Sequence, residues 1–235
     1  SAYKSNYGDN YKDSLNQALT SAGYKNLSEY RQRMIKQIQY ANFLLDYIDD
    51  HFDDVFNDYY QQCAPKYVSL IKISVSDTSS PTDNETSKLN EVKELISNTD
   101  KSFGDIAQDY SDDSTSSKKG SLGIVDSKDT SGIANSYGKD VFNAIEALSE
   151  GQVSDVITGD DGYYFVKVTS TDKKTLKKEL KKTDIDSPLL AYDDYLQYVV
   201  YNSYKINYKD KDIKKIVQEV VNKALEERKT ERGEA

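Results

Sequence analysis

The sequence is poor in the residue types that build most catalytic and metal centres. Among its 235 residues there are one cysteine, Cys63, one histidine, His51, and no tryptophan. A single thiol cannot form an internal disulfide, and one residue of each type cannot make a metal cluster or a Cys/His nucleophile pair. We interpret Cys63 as a small buried residue near a helix end and His51 as a solvated surface residue. We expect no metal and no cofactor.

Long apolar runs and a basic excess are missing as well. No segment approaches the ~20 apolar residues that a membrane-spanning helix needs, and no signal sequence is recognisable. The chain carries 31 Lys and Arg against 40 Asp and Glu, which gives a net charge of -9 and a pI of about 4.8. Because a nucleic-acid surface needs basic groups to displace counterions, no nucleic acid is expected as a partner. Basic protein clients suit an acidic surface better.

The first part of the chain is predicted to be helical. Residues 10–22 form one helix, and Asn26 followed by Glu29 is typical of a capped start for a second helix. That second helix carries one apolar stripe that must be buried, made of Met34, Ile38, Ala41, Leu45 and Ile48. A short third helix covers 54–62. The aromatic residues here pack in a core or, alternatively, belong to a tyrosine-rich surface that holds unfolded chains, since the sequence has 20 tyrosines.

The middle of the chain alternates strands and helices. Residues 67–75 are β-branched and predict a strand, 77–86 a loop, and the apolar residues from Leu89 to Ile96 a helix. Phe103 to Tyr110 predicts a helix followed by a polar loop that Gly120 and Gly123 close. A short strand starts at 124, 127–138 is irregular, 141–148 is a helix, and a turn at 159–162 leads to a closing strand over 163–168. This order indicates a small α+β domain with helices on a mostly antiparallel sheet.

The last part is again helical. A lysine-rich helix is expected over 173–182, a long helix begins at Pro188 and extends through Val200, and a last helix runs from Ile213 to Leu225. The charged end, 226–235, is expected to be a frayed tail.

Several motifs in the middle segment occur in the serial order of one family. They are Phe103-x-x-Ile106-Ala107-x-x-Tyr110-Ser111-x-Asp113, Gly120-x-Leu122-Gly123, the 144–148 helix, 151–154 (GQVS) and 162–166 (GYYFV). They resemble the parvulin, or PpiC-type, peptidyl-prolyl isomerase domain. The flanks, with Gly23-Tyr24, Asp58-Tyr59-Tyr60 and 207–213 (NYKDKDI), are similar to PrsA-type extracellular foldases. The resemblance implies an N-terminal helical segment (1–66), a parvulin-like domain (67–171) and a C-terminal helical segment (172–235). The parvulin-like domain is thus inserted in an all-helical, chaperone-like domain made from both chain ends.

The resemblance also implies the site residues. The family's pocket aspartate corresponds to Asp113, whereas Lys72 and Tyr164 stand at the positions of its two histidines. The proline pocket is formed by Tyr137 and Val141, or by Phe142 if the alignment shifts by one residue, together with Leu122. Lys72 is expected to form an ion pair with Asp113. The Lys72–Asp113 pair either holds the polar loop after Tyr110 to the sheet or leaves a polar pocket that twists amides weakly. In a third alternative, Lys72 and Asp113 make no contact.

Three functions stay open at this point. The resemblance implies a folding factor that binds unfolded or proline-containing exported polypeptides, with isomerase activity weak or lost. The first alternative is an active peptidyl-prolyl isomerase with an atypical pocket, and the second is a non-catalytic scaffold or adhesion protein. The family is exported and held on the outer face of the Gram-positive membrane by a lipid. An anchor upstream of Ser1 and a possible homodimer are therefore expected.

Overall fold

A computed structural model describes residues 2–181, 187–192 and 194–231. The chain divides into two units, Ser1–Phe52 and Asp53–Ala235. Within the described ranges, no helix is both long enough and apolar enough to cross a membrane.

The first unit is a succession of helices: α1 (Ala2–Tyr7), a 3-10 turn (Gly8–Asn10), α2 (Tyr11–Ser21) and α3 (Leu27–Asp50). The predicted cap is present, because the Asn26 side chain accepts a hydrogen bond from the Glu29 backbone N–H at 2.9 Å. The predicted apolar stripe of α3 is only partly covered. Ile38 is 61% exposed, and so are its neighbours Ile35 (54%) and Phe43 (51%).

The second unit contains α4 (Phe52–Cys63) from Asp53 onwards and is built on a four-stranded antiparallel sheet. The strands are β1 (Lys66–Ser74), β2 (Ser121–Val125), β3 (Ile157–Thr158) and β4 (Gly162–Ser170), in the order β2-β1-β4-β3. Tyr67 near the start of β1 pairs with Ser170 at the end of β4. The chain therefore enters and leaves the sheet on neighbouring strands.

Helices cover both faces of the sheet. Successive side chains of β1 point to opposite faces, so its apolar residues lie on both of them. On one face, Val68 and Leu70 pack under α7 (Ile133–Tyr137) and α8 (Lys139–Ala147). On the other face, Ile71 and Ile73 pack with α5 (Asp83–Asn98) and α6 (Phe103–Tyr110). The two buried faces explain why β1 is apolar along most of its length.

The first residue of β1 is fastened to the end of α8. The Lys66 ammonium donates to the backbone carbonyls of Ile145, Glu146 and Leu148 at 2.9, 2.6 and 3.1 Å. Carbonyls in the last turn of a helix lack the N–H partner that a following turn would supply, and a cation at a helix C-terminus is also favoured by the helix dipole. The cap thus joins α8 to the beginning of the sheet.

Two segments predicted to be irregular contain helix. In 77–86 the chain is already helical from Asp83, because Thr82 and Glu85 form a reciprocal capping box. In 127–138 the helix α7 forms because the Asp129 carboxylate accepts from the backbone N–H groups of Ile133 (2.6 Å) and Ala134 (3.0 Å). Strand β2 also begins earlier than predicted, at Ser121.

The C-terminal part contains α9 (Lys173–Leu180), α10 (Pro188–Ala191), α11 (Asp194–Ser203) and α12 (Lys211–Glu231). The single long helix predicted from Pro188 is wrong, because α10 ends at Ala191 and the backbone of the next residue, Tyr192, leaves the helical region. Buried Tyr192 donates its hydroxyl proton to Asp58 on α4.

The predicted frayed tail is helical up to Glu231, and 232–235 lie outside the described residues, as does Lys182. The reason is an ion pair between the Arg228 guanidinium and the Asp58 carboxylate. Their side chains are only 10% and 5% exposed, so this pair anchors the last turns of α12 to α4.

Cys63, at the end of α4, is fully buried. Burial, and next to it the charge of Asp126, raise the pKa of its thiol to about 12. Such a thiol is not nucleophilic at neutral pH, and His51 is exposed.

Candidate functional site

Strand pairing brings together the two residues predicted at the family's histidine positions. Lys72 on β1 lies directly opposite Tyr164 on β4. Side chains of directly opposed residues project to the same face of a sheet. Accordingly, the Lys72 ammonium lies 5.6 Å from the centroid of the Tyr164 ring.

One carboxylate connects these two side chains. Asp161, in the turn between β3 and β4, accepts hydrogen bonds from the Lys72 ammonium and from the Tyr164 hydroxyl, one on each oxygen. The hydrogen bond from Lys72, and then that from Tyr164, lower the pKa of the Asp161 carboxyl. Burial, and then the hydrogen bond to Asp161, raise the pKa of Tyr164. At neutral pH the group therefore consists of an ammonium, a carboxylate and a protonated phenol.

The predicted ion pair between Lys72 and Asp113 is wrong, because Lys72 pairs with Asp161. Asp113 instead caps the 3-10 turn Ser114–Lys118, where it accepts from the Thr115 backbone N–H at 2.8 Å and from its hydroxyl at 2.6 Å. Burial, and then Asp113, raise the pKa of Tyr137, to which Asp113 is hydrogen-bonded. Asp113 thus lies close enough to both Tyr137 and Tyr164 for its charge to act on their hydroxyls.

Other hydrogen bonds hold this loop to the sheet, which is the role predicted for the Lys72–Asp113 pair. The Asp112 N–H donates to the Lys72 carbonyl at 2.8 Å, and the Lys72 N–H donates to the Ser111 hydroxyl at 3.0 Å. The Asp112 carboxylate also pairs with Lys88 at 2.6 Å. Gly120 closes the same loop against β1, because a Cβ there would lie 2.4 Å from the Leu70 carbonyl oxygen.

The apolar wall of the site comes from α7 and α8. Tyr137 ends α7, and its ring meets that of Tyr164 edge-on, with centroids 6.2 Å apart and planes at 79°. Val141 on α8 belongs to the buried cluster that also contains Tyr164. The turn before β4 is tight as well, since a Cβ at Gly159 would lie 2.7 Å from a ring carbon of Tyr164. The ring of Tyr164 is therefore held in place from two sides.

A cleft of about 530 Å³ opens between these elements. Of the predicted site residues, Tyr137, Val141 and Tyr164 line it. Phe142 and Leu122 pack against the apolar cluster behind it but are not among its lining residues, and Leu122 lines a different cavity. In size the cleft suits one or two side chains of a bound peptide.

Asp161 is the site residue that the sequence analysis did not single out. The sequence pattern indicates only that it belongs to a turn, 159–162. Its position three residues before Tyr164 was the available signal, because a short turn places its last residues beside the following strand. In the described ranges, no group of three or more His, Cys, Asp or Glu side chains is arranged to hold a metal ion.

Comparison with known proteins agrees with this geometry. Residues 70–170 match the Rotamase family, described as the PPIC-type PPIASE domain. The chain contains a PpiC-type domain. Its sheet, its α6 motif and its cleft all lie within or at the edge of the matched residues.

Longer matches come from foldases. The chain is 31% identical over 159 residues to "Foldase protein PrsA" of Staphylococcus aureus, a match covering 64% of this chain and 47% of that protein. It is 35% identical over 136 residues to the Staphylococcus epidermidis protein of the same name, covering 55% and 39%. The chain spans about half the length, or less, of these curated relatives.

Among solved structures, PrsA from Bacillus subtilis aligns with a TM-score of 0.42 at 22% identity, covering 90% of this chain and 75% of that one. The peptidylprolyl isomerase PrsA from Bacillus anthracis aligns with a TM-score of 0.35 at 21% identity, covering 88% and 87%. Because these scores are below about one half, the assignment of the PpiC-type domain rests on its sequence match and its topology.

Proposed function

We propose that this protein is a folding factor that binds unfolded exported polypeptides, and that its PpiC-type domain binds proline-containing segments with weak or no isomerase activity. The single observation that carries the proposal is the cleft between Tyr137, Val141 and Tyr164, with the Lys72–Asp161–Tyr164 group beside it. Aromatic and aliphatic walls suit a proline ring. In the polar group beside them, Lys72 and Tyr164 stand at the positions that the resemblance gives to the family's two histidines.

The expected weakness of catalysis follows from the state of those polar groups. Rotation about an X-Pro bond has a barrier of ~18–20 kcal/mol, and catalysis needs interactions that are stronger with the twisted amide than with the planar one. The Tyr164 proton is already donated to Asp161, and the Lys72 ammonium is bound to the same carboxylate. An amide that binds there could accept from a remaining N–H of the Lys72 ammonium, but the charge of that ammonium is already offset by the Asp161 carboxylate, which reduces its benefit to the twisted amide.

A protease-free proline-peptide turnover assay tests the catalytic part, with a parvulin of known activity measured in parallel. We expect a rate close to that of buffer, together with measurable binding of the peptide. A rate comparable to that of the control would favour the second candidate, an active isomerase with an atypical pocket. That candidate is supported by the polar group at the edge of the cleft, including Asp113 behind Tyr137.

Client holding is supported by the apolar surface of the C-terminal helices. Ile213, Ile216 and Val220 on α12 are 56%, 61% and 64% exposed. Ile216 and Val220 line a groove of about 480 Å³ with Tyr198 and Tyr201 of α11. We expect this protein to suppress aggregation of an unfolded client, whereas an inert acidic protein of similar size does not. No suppression would favour the scaffold or adhesion reading.

The proposal includes the predicted arrangement and location. The segments 1–66 and 172–235 form one helical domain around the domain 67–171, the chain is held by an upstream lipid on the outer face of a Gram-positive membrane, and it forms a homodimer. Sedimentation of the purified chain tests the dimer. Detergent-dependent fractionation of the cells that make the protein tests the anchor.

A further inference from the structure

The charges around the cleft are unequal. Three carboxylates line it, those of Asp140, Asp160 and Asp161, against one ammonium, that of Lys139. Asp113 adds a fourth carboxylate behind Tyr137, and Lys72 adds a second ammonium through its pair with Asp161. Two negative charges are left over.

The nearby helix terminus does not compensate this excess. The amino end of α8 faces the cleft, but a helix N-terminus contributes only about half a positive charge. Lys72 is already included in the count, and its side chain, which is 17% exposed, is paired with Asp161. Over the ranges that the structure describes, Asp140 and Asp160 make no ion pair, and both are exposed at the rim. They are therefore available to a bound ligand.

From this excess we infer that the cleft selects proline segments that carry a lysine or arginine beside the proline. The inference rests on the function proposed above and adds its substrate class. Asp140 lies in the first turn of α8 and Asp160 in the β3–β4 turn, and both belong to the lining of the one cleft. A basic side chain of a client seated between Tyr137 and Tyr164 would meet one or both carboxylates. An acidic side chain there would be repelled.

Three blocked peptides that differ only in the residue before proline test the inference: Ala-Lys-Pro-Phe, Ala-Ala-Pro-Phe and Ala-Glu-Pro-Phe. Their affinities for the full chain are measured by ¹H–¹⁵N chemical-shift titration at about 20 mM and about 300 mM salt, because salt screens exposed charges. We expect the lysine peptide to bind roughly three- to tenfold more tightly than the glutamate peptide at low salt, as for a few exposed ion pairs. The difference should shrink at high salt.

The double variant Asp140→Asn/Asp160→Asn should reduce the lysine preference to below about twofold. Asp100→Asn, a matched control at an exposed residue outside the cleft, should leave it unchanged. Equal binding of all three peptides, tighter binding of the glutamate peptide, or a preference that survives in the double variant would overturn the inference and leave the proposed function intact. If none of the peptides binds, the proposed function fails, and the inference fails with it.

Discussion

The ion pair between Arg228 and Asp58 should be one of the most sensitive points of the second unit. It joins two residues 170 positions apart, with side chains that are 10% and 5% exposed. Replacing Arg228 by leucine removes the buried cation that faces the Asp58 carboxylate, which also accepts a hydrogen bond from the Tyr192 hydroxyl. The variant also loses the contact of the guanidinium with the Tyr198 ring, 4.6 Å away.

Removing one partner of a buried ion pair typically costs 3–5 kcal/mol, because the other charge is left uncompensated. The loss of the cation–π contact adds about 0.5–2 kcal/mol. For a cooperative unit of 150–250 residues, 1 kcal/mol shifts Tm by about 2–4 °C. We therefore expect Arg228→Leu to lower the free energy of unfolding by about 3.5–7 kcal/mol and Tm by roughly 7–28 °C.

Urea unfolding followed by circular dichroism measures this change, and hydrogen exchange of the α12 amides shows whether the loss is local to that helix. Lys229→Leu, which removes an exposed cation on the next residue, is the matched control and should change stability by less than about 0.5 kcal/mol. The double variant Asp58→Leu/Arg228→Leu should regain a large part of the loss, because no buried charge is left. If Arg228→Leu behaves like the control in both unfolding and exchange, the pair does not anchor α12.

Three further changes test other parts of the second unit. In Lys72→Met the pKa of the Asp161 carboxyl should rise towards 3.8, because the hydrogen bond that lowers it is lost. A lowered pKa stabilises the fold only while the carboxyl is ionised, so wild-type stability should fall more steeply below pH 4 than that of the variant. A ¹³C titration of Asp161 that is the same in both proteins would contradict this. Gly120→Ala should cost at least about 2 kcal/mol in thermal unfolding, because φ is +74° and the new Cβ meets a β1 carbonyl; a Tm equal to that of wild type would show that the loop adapts. Tyr59→Phe removes a buried hydrogen bond of 2.7 Å to Asp126 and should cost about 1.5–3 kcal/mol, whereas Tyr60→Phe, whose hydroxyl bonds a partly buried carbonyl, should cost less by the same assay.

Local signals predicted much of this fold. The side chain of Asn26 caps α3 as its spacing with Glu29 indicated, and the alternating apolar residues of β1 lie on two buried faces. These features depend on residues close in sequence, whose preferences are set by helix caps and by the period of two along a strand. The antiparallel sheet and its helices follow from the order of such elements.

Features that depend on distant residues could not be predicted in this way. The break at Tyr192 and the ordered end of α12 both arise from Asp58, which lies 134 and 170 residues away. In the candidate site, the register of β1 and β4 placed Lys72 beside Tyr164, but the choice of Asp161 over Asp113 as partner was decided by the conformation of two loops. Loop conformation is set by specific caps such as that of Asp113 on Thr115, which the sequence pattern does not reveal.

The pairing of Tyr67 with Ser170 has a consequence for how this chain can be taken apart. Directly opposed residues of antiparallel strands have Cα atoms only about 4.5–5.5 Å apart, so the two ends of the segment from Tyr67 to Ser170 are close neighbours. A linker of a few glycines could bridge residues 66 and 171 without stretching the rest of the chain. The segment 67–170 could thus be deleted, or replaced by another domain, while the rest of the chain keeps a continuous backbone.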